Sequence, residues 1–196
     1  MKILFALFSY LFGAFPSGYI FFYLSEKKDI RNFGSKATGA TNVLRLKGLK
    51  YALPVILMDV LKGFLPVFLA LKLFQDEFLA LICALLSVIG HCFPVYIKFK
   101  GGKGLATTFG AYAVLAFKPF LLSLAIFLII VGISRYVSLS SLLAALSYPF
   151  FIFLFQEGVE IAYFSFALFF LIVFMHRGNI GRLIKGEERK LGEKAR

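Results

Sequence analysis

Long apolar runs alternate along the chain with short polar and basic intervals, and seven runs stand out, at residues 3–24, 51–71, 78–97, 105–117, 120–133, 142–155 and 161–175. An α-helix needs roughly 20 apolar residues to cross about 30 Å of hydrocarbon, so the first three runs predict full transmembrane helices. The last four are short and are expected to tilt differently, to extend into their polar flanks or to be partly re-entrant. Lipid offers no partner to open backbone groups, so bundled helices are the expected architecture. The predicted fold is therefore all-α, a polytopic integral membrane helical bundle of about seven transmembrane helices, with residues 1–196 as one membrane domain. The opening run has Lys2 before its apolar core, as a signal peptide would, but it continues through Tyr19 to Leu24 into a basic cluster. That continuation favours an uncleaved first span.

Composition sharpens the membrane reading. Hydrophobic residues make up 60% of the chain and the mean hydropathy is +0.87, beyond what a soluble domain of this size can bury. Twenty-two Lys and Arg against ten Asp and Glu give a formal charge of +12. That excess sits in short clusters between Phe, Leu and Ile runs, not on one solvated face, which argues against nucleic acid as a partner. Cys83 and Cys92 share one apolar run and belong to no ligand cluster, so both read as small buried hydrophobes and no metal site is expected.

The cations also orient the bundle, because Lys and Arg concentrate in cytoplasmic loops. With the amino terminus outside, one side receives eighteen of the twenty-two, from Lys27 through Lys50, Lys98 to Lys103, Arg135, and the tail from Arg177 to Arg196. The other side receives Lys2, Lys72 and Lys118, and Lys62 stays within a span. The carboxyl terminus is then cytoplasmic.

Three segments on that basic face suggest phosphate chemistry. The first is Gly34-Ser35-Lys36-Ala37-Thr38-Gly39-Ala40-Thr41-Asn42-Val43-Leu44-Arg45. Its glycines allow successive amides to form an anion-binding concavity, Ser35, Thr38, Thr41 and Asn42 add neutral donors, and Arg45 can grip phosphate with two parallel hydrogen bonds. The second is Gly90-His91-Cys92-Phe93-Pro94 leading to Gly101-Gly102-Lys103-Gly104 at the start of a helix, where amides, an ammonium and the helix dipole face one anion. The third is His176-Arg177-Gly178-Asn179-Ile180, which runs on to Glu187. His176 suits a general base or a hydroxyl-binding group, with Asn179 one turn away. The plainer alternatives are polar loops that only fix topology and a basic tail that meets anionic lipid.

Two further features are weaker. Asp59 and Lys62 are spaced to pair on one face of the second span, as a buried pair supporting a site or as part of its chemistry. His91 reads as a satisfied interior histidine. The stretch from Ser134 to Ser141 reads as a hydroxyl-rich loop whose Ser141 can reach a substrate.

Together the three segments resemble the PlsY family, the bacterial acyl-phosphate-dependent glycerol-3-phosphate acyltransferases, over essentially the whole chain. The resemblance implies transfer of a fatty acyl group from acyl phosphate to the 1-hydroxyl of glycerol 3-phosphate, giving lysophosphatidic acid and phosphate without a cofactor. It implies catalytic roles for Ser35, Arg45, Lys103, His176 and Asn179. Substrate binding falls to Gly34, Thr38, Gly39, Ala40, Thr41, Asn42, Gly101, Gly102, Gly104, Ser141 and Arg177, and support to Asp59, Lys62, His91 and Glu187. It also implies a multi-pass protein of the bacterial cytoplasmic membrane, with its active site at the cytoplasmic face, lipid around it, and a functional link to the enzyme that makes acyl phosphate. The competing readings are a transporter of organic phosphates and a membrane phosphotransferase acting on lipid phosphates. One-sided cations count against a midplane transport site, and no Asp and Glu cluster suits magnesium-assisted phosphotransfer.

Overall fold

The computed structural model describes residues 1–193, so Lys194 and Arg196 of the basic tail lie outside the described residues. Every regular element among the described residues is helical. Met1–Ala111 and Tyr112–Leu191 form two compact units.

In the first unit the opening run divides into α1 (Lys2–Gly13) and α2 (Ser17–Glu26). Pro16 sits at the break, where its missing N–H and fixed φ interrupt the helical ladder. A loop then leads to the short α3 (Ala40–Lys47) and to α4 (Leu49–Leu69), which continues through one wider turn over Ala70–Phe74. Asp76 opens α5 (Glu77–Cys92) by accepting from the Leu79 amide at 2.9 Å, satisfying an amide the first turn leaves unbonded. The helix α6 (Leu105–Leu115) begins in this unit. α1 and α4 pack on α5, and α3 packs on α4. Between α4 and α6 the backbones nearly touch. A Cβ on Gly63 would strike the Thr107 carbonyl oxygen, and one on Gly110 the Val60 carbonyl oxygen. Lipid supplies no hydrophobic force between helices, so close van der Waals approach through small residues holds such crossings.

The second unit contains α7 (Phe117–Ser134), α8 (Val137–Phe155), α9 (Val159–Met175) and α10 (Arg177–Ile184). α7 packs on α8 and α8 on α9. Its interior is marked by Tyr112 and Tyr148, both fully buried, whose rings stack with centroids 3.4 Å apart. α10 leaves α9 at 63°.

Among the described residues, five helices are long and apolar enough to cross a membrane, or six if the bent pair of α9 and α10 is one span. They differ from the seven runs of the sequence chiefly at α6. Eleven residues of helix reach only about 17 Å, well short of the hydrocarbon thickness. The fifth and sixth runs extend into their flanks as expected, α7 back to Phe117 and α8 back to Val137. The stretch expected as a hydroxyl-rich loop is therefore mostly helix. Its serines tolerate this because Ser140 and Ser141 donate to the carbonyls of Tyr136 and Val137, four residues back.

Candidate active site

The first glycine-rich segment is an ordered loop closed by one side chain. Asn42, 1% exposed, accepts from the Ser35 amide at 2.9 Å and donates from Nδ2 to the carbonyls of Phe33 at 3.1 Å and Ala37 at 2.9 Å. The chain turns through Gly34 and Lys36, both at positive φ. Thr38 is buried, and its carbonyl lies where a Cβ on Gly18 of α2 would fall. Beneath the loop Val43 of α3 is fully buried with Phe22, Ile30, Ala52 and Val55, and Ala40 and Leu44 pack against this cluster. Buried apolar contacts thus seat α3, and Asn42 shapes the chain that enters it.

At the start of α3, Gly39 occupies the capping position with no side chain to cap. The first amides of a helix have no intrahelical partner. Apart from Gly39 and its two chain neighbours, no heavy atom of the described residues lies within 4 Å of where a Gly39 Cβ would be. The amides of Ala40 and Thr41 are among those first amides, at the positive end of the helix dipole, an arrangement suited to an anion. Ser35 and Thr41 are half-buried, as is Arg45 on the same short helix.

The second segment folds back on the end of α5. Gly101 and Gly102 donate their amides to the carbonyls of Cys92 at 3.2 Å and His91 at 3.1 Å, two acceptors left over by the terminating helix. Gly104, at φ 89°, then turns the chain into α6. Lys103 is half-buried in this turn, whereas Lys98 and Lys100 are exposed. Just beyond, the Thr107 and Thr108 hydroxyls are buried without a hydrogen-bond partner, a feature invisible in an apolar stretch of sequence.

Arg31, in the sequence only one of the cations that orient the bundle, links the two segments. Its Nη1 donates to the Ile97 carbonyl at 2.7 Å, its Nε and Nη2 bond both oxygens of Asp29, and its guanidinium lies 5.3 Å from the centre of the Tyr19 ring. The hydrogen bonds from Arg31 hold the Asp29 carboxyl below its ordinary pKa, and Asp29 in turn raises that of Arg31. An Asp-x-Arg spacing hints at a local pair but not at its distant carbonyl partner.

In the second unit, His176 ends α9 and Asn179 lies on α10, both buried. His176 Nδ1 is 2.8 Å from the Ile172 carbonyl. A carbonyl only accepts, so Nδ1 carries the proton and Nε2 is the basic nitrogen of the neutral ring. Asn179 Nδ2 donates to Glu188 Oε1 at 2.7 Å, Ser138 Oγ donates to the same oxygen at 3.0 Å, and Arg182 Nε donates to Oε2 at 2.8 Å. The carboxylate bracing this region is thus Glu188, and Glu187 beside it is exposed. Two adjacent acids cannot be told apart by spacing alone, since only the path of the tail decides which one turns inward. Burial by itself would raise the Glu188 pKa, but the bonds from Asn179, Arg182 and Ser138 outweigh it and hold the carboxyl below its ordinary value. Arg135 secures the tail, its side chain donating to the Leu191 carbonyl while its own carbonyl accepts from the Leu191 amide. Ser141 is buried on α8, with its hydroxyl proton directed to Val137. Arg177 is exposed, stacked 4.4 Å from the Phe174 ring centre and bonded to the Phe174 carbonyl.

Asp59 and Lys62 pair at 2.6 Å in the interior of the first unit, and His91 is buried nearby. No group of three or more His, Cys, Asp and Glu side chains among the described residues is arranged to hold a metal ion. What the first unit offers chemically is helix-end amides, hydroxyls and cations suited to phosphate. The second offers an oriented imidazole and a braced amide suited to hydroxyl groups.

Known proteins resemble the chain over nearly its whole length. Residues 3–186 match the family model described as glycerol-3-phosphate acyltransferase. A glycerol-3-phosphate acyltransferase of Endomicrobium trichonymphae is 41% identical over 191 residues, covering 97% of this chain and 96% of the relative. One from Thermoanaerobacter sp. (strain X514) is 40% identical over 192 residues, covering 98% and 96%. The crystal structure of PlsY, an integral membrane glycerol 3-phosphate acyltransferase, in its glycerol 3-phosphate form superposes with a TM-score of 0.93 at 38% identity, covering 97% of this chain and 96% of that one. The lysophosphatidic acid form gives 0.89 at 36% identity, covering 97% and 95%.

Proposed function

The chain belongs to the glycerol-3-phosphate acyltransferase family, and from that premise we propose that it transfers a fatty acyl group from acyl phosphate to the 1-hydroxyl of glycerol 3-phosphate. The single observation that carries the reading is the Asn42-closed loop that leads into an uncapped helix start, a geometry that supports a phosphate cradle. In the reaction the substrate hydroxyl oxygen forms the ester bond to the acyl carbon and the bond from that carbon to the phosphate oxygen breaks. The hydroxyl proton passes to a substrate phosphate, and lysophosphatidic acid and inorganic phosphate leave.

An acyl phosphate is already activated, so positioning and electrostatic stabilisation are the protein's main contributions. Ser35, Gly39, Ala40, Thr41 and Asn42 are assigned to the phosphate cradle, with Arg45 and Lys103 offsetting the charge of phosphate and of the leaving group. His176 and Asn179 are assigned to orienting glycerol 3-phosphate, and the hydrogen bonds to Ile172 and Glu188 support that role by fixing the ring tautomer and the amide.

The same reading places the protein in the bacterial cytoplasmic membrane, with seven spans when the short α6 is counted as one, the amino terminus outside and the active site at the cytoplasmic face, supplied by the enzyme that makes acyl phosphate. The charge asymmetry of the loops supports it. Purified protein given labelled glycerol 3-phosphate with acyl phosphate, acyl-CoA or acyl carrier protein in separate reactions is expected to form product with acyl phosphate. Product from only one of the other two donors overturns the donor assignment. Cysteines placed near Gln75 and near Gly186 are expected to label from opposite sides of sealed vesicles, and labelling of both from one side removes the seven-span topology.

A further inference from the structure

A polar group with no direct part in that chemistry lies inside the first unit. α2 begins with Ser17, α4 carries Asp59 and Lys62 one turn apart, and His91 lies in the last turn of α5. Ser17 Oγ donates to Asp59 Oδ1 at 2.5 Å, and Lys62 Nζ donates to the same oxygen at 2.6 Å and to Ser17 Oγ at 2.9 Å. Asp59 and Lys62 are 1% exposed, Ser17 2% and His91 8%. Removing two charges from water is costly, a penalty that well-packed apolar residues avoid. Ionisable residues at membrane depth therefore point to a task beyond packing.

The contacts of His91 connect this group to the Gly101–Gly104 turn. On one side its Nδ1 lies 3.6 Å from Asp59 Oδ1. On the other, its ring fills the space a side chain at position 102 would need, because a Cβ on Gly102 would land on His91 Nε2, with Cε1 and Cδ2 at 2.9 and 3.0 Å. The His91 carbonyl also accepts the Gly102 amide. Lys103 is the next residue.

We propose that Ser17, Asp59, Lys62 and His91 form a positioning network that sets the Gly101–Gly104 turn through the imidazole packed on Gly102 and so aims Lys103. This rests on the reading of Lys103 as a phosphate-binding cation. Asp59 of the ion pair lies beside the Nδ1 edge of the ring, the turn closes on the Nε2 edge, and a displaced ring displaces the lysine that follows. A displacement of about 1 Å in a binding group costs on the order of a hundredfold in rate.

The test uses the purified full chain, with kcat and KM for acyl phosphate measured beside thermal midpoint and monodispersity. Gly102→Ala is expected to lose about a hundredfold in kcat/KM. Adding His91→Ala is expected to restore about tenfold of that, since the three atoms nearest the new Cβ all belong to the imidazole. Gly101→Ala is the control that His91→Ala does not rescue, because its Cβ would meet the backbone carbonyl oxygens of His91 and Cys92. The neutral pair Asp59→Leu with Lys62→Met leaves no unpaired charge and is expected to raise KM for acyl phosphate about tenfold with the thermal midpoint nearly kept. Lack of rescue by His91→Ala, or wild-type kcat and KM in the neutral pair while Lys103→Ala is inactive, overturns the network. Wild-type turnover in Lys103→Ala instead overturns the parent reading, and the inference falls with it.

Discussion

Replacing Asn42 by alanine removes three hydrogen bonds at one stroke, those to the Ser35 amide and to the Phe33 and Ala37 carbonyls. Phe33 is exposed and Ser35 and Ala37 are half-buried, so water replaces part of what is lost and each bond is worth about 1 kcal/mol net. The total, about 3 kcal/mol, shifts the balance between ordered and open loop about a hundredfold. Because the loop opens locally, the thermal midpoint is expected to fall by only a few degrees. Substrate binds the ordered fraction, so KM for acyl phosphate rises and kcat/KM falls by about ten- to a hundredfold. Asn42→Asp separates order from charge. It keeps the acceptor for Ser35 and, as an acid in the first turn of α3, favours the helix dipole. It also sets carboxylate oxygens against two carbonyls and brings negative charge to a phosphate cradle, so its activity falls below that of Asn42→Ala without a matching loss of stability. Labelled glycerol 3-phosphate acylation, thermal denaturation and hydrogen exchange at the Ser35 amide measure the three effects. Asn42→Ala within twofold of wild type, or Asn42→Asp more active than Asn42→Ala, refutes the reasoning.

Other perturbations test separate parts. Lys103→Ala should lose about a hundredfold or more in rate while Lys100→Ala, exposed three residues earlier, stays near wild type, and equal small losses in kcat would reduce the cradle to a generally basic face. Glu188→Gln should weaken the brace on Asn179 and lower turnover, whereas Glu187→Gln should change neither turnover nor thermal midpoint. The Glu188 carboxyl is held below its ordinary value, so its contribution is complete above the ordinary carboxylate range and is lost as pH falls through the depressed value. The contribution of Glu188 to activity should therefore be constant through neutral pH and be lost below about pH 4, and a Glu188→Gln profile with an unchanged acid limb would assign that limb to another group. Arg31→Ala should free the Val95–Ile97 turn from the first loop, raising hydrogen exchange near Ile97 together with KM, while unchanged exchange there would separate the two loops.

Apolar period and charge placement are properties of the chain itself, so the helical membrane class and the three polar segments were legible without coordinates. Runs of apolar residues admit few other folds in lipid, and coincidences of glycine with cation survive as linear patterns. The Asp59 and Lys62 spacing likewise announced its own pairing. What the chain could not announce were partners brought from afar. Arg31 meets Ile97, Ser17 meets Asp59, Ser138 meets Glu188, and His91 lies against Gly102. None of these pairs shares a helical turn, so no local period encodes them, and each depends on which helices touch and at what depth. The choice of Glu188 over Glu187 has the same origin, because a chain folded back along Arg135 and Ser138 presents one of two adjacent acids inward. Helix ends were decided tertiarily as well. Ser134, Ser140 and Ser141 satisfy their hydroxyls within α7 and α8, and α6 stops at Leu115 although apolar residues continue, because length in sequence does not fix where a backbone turns.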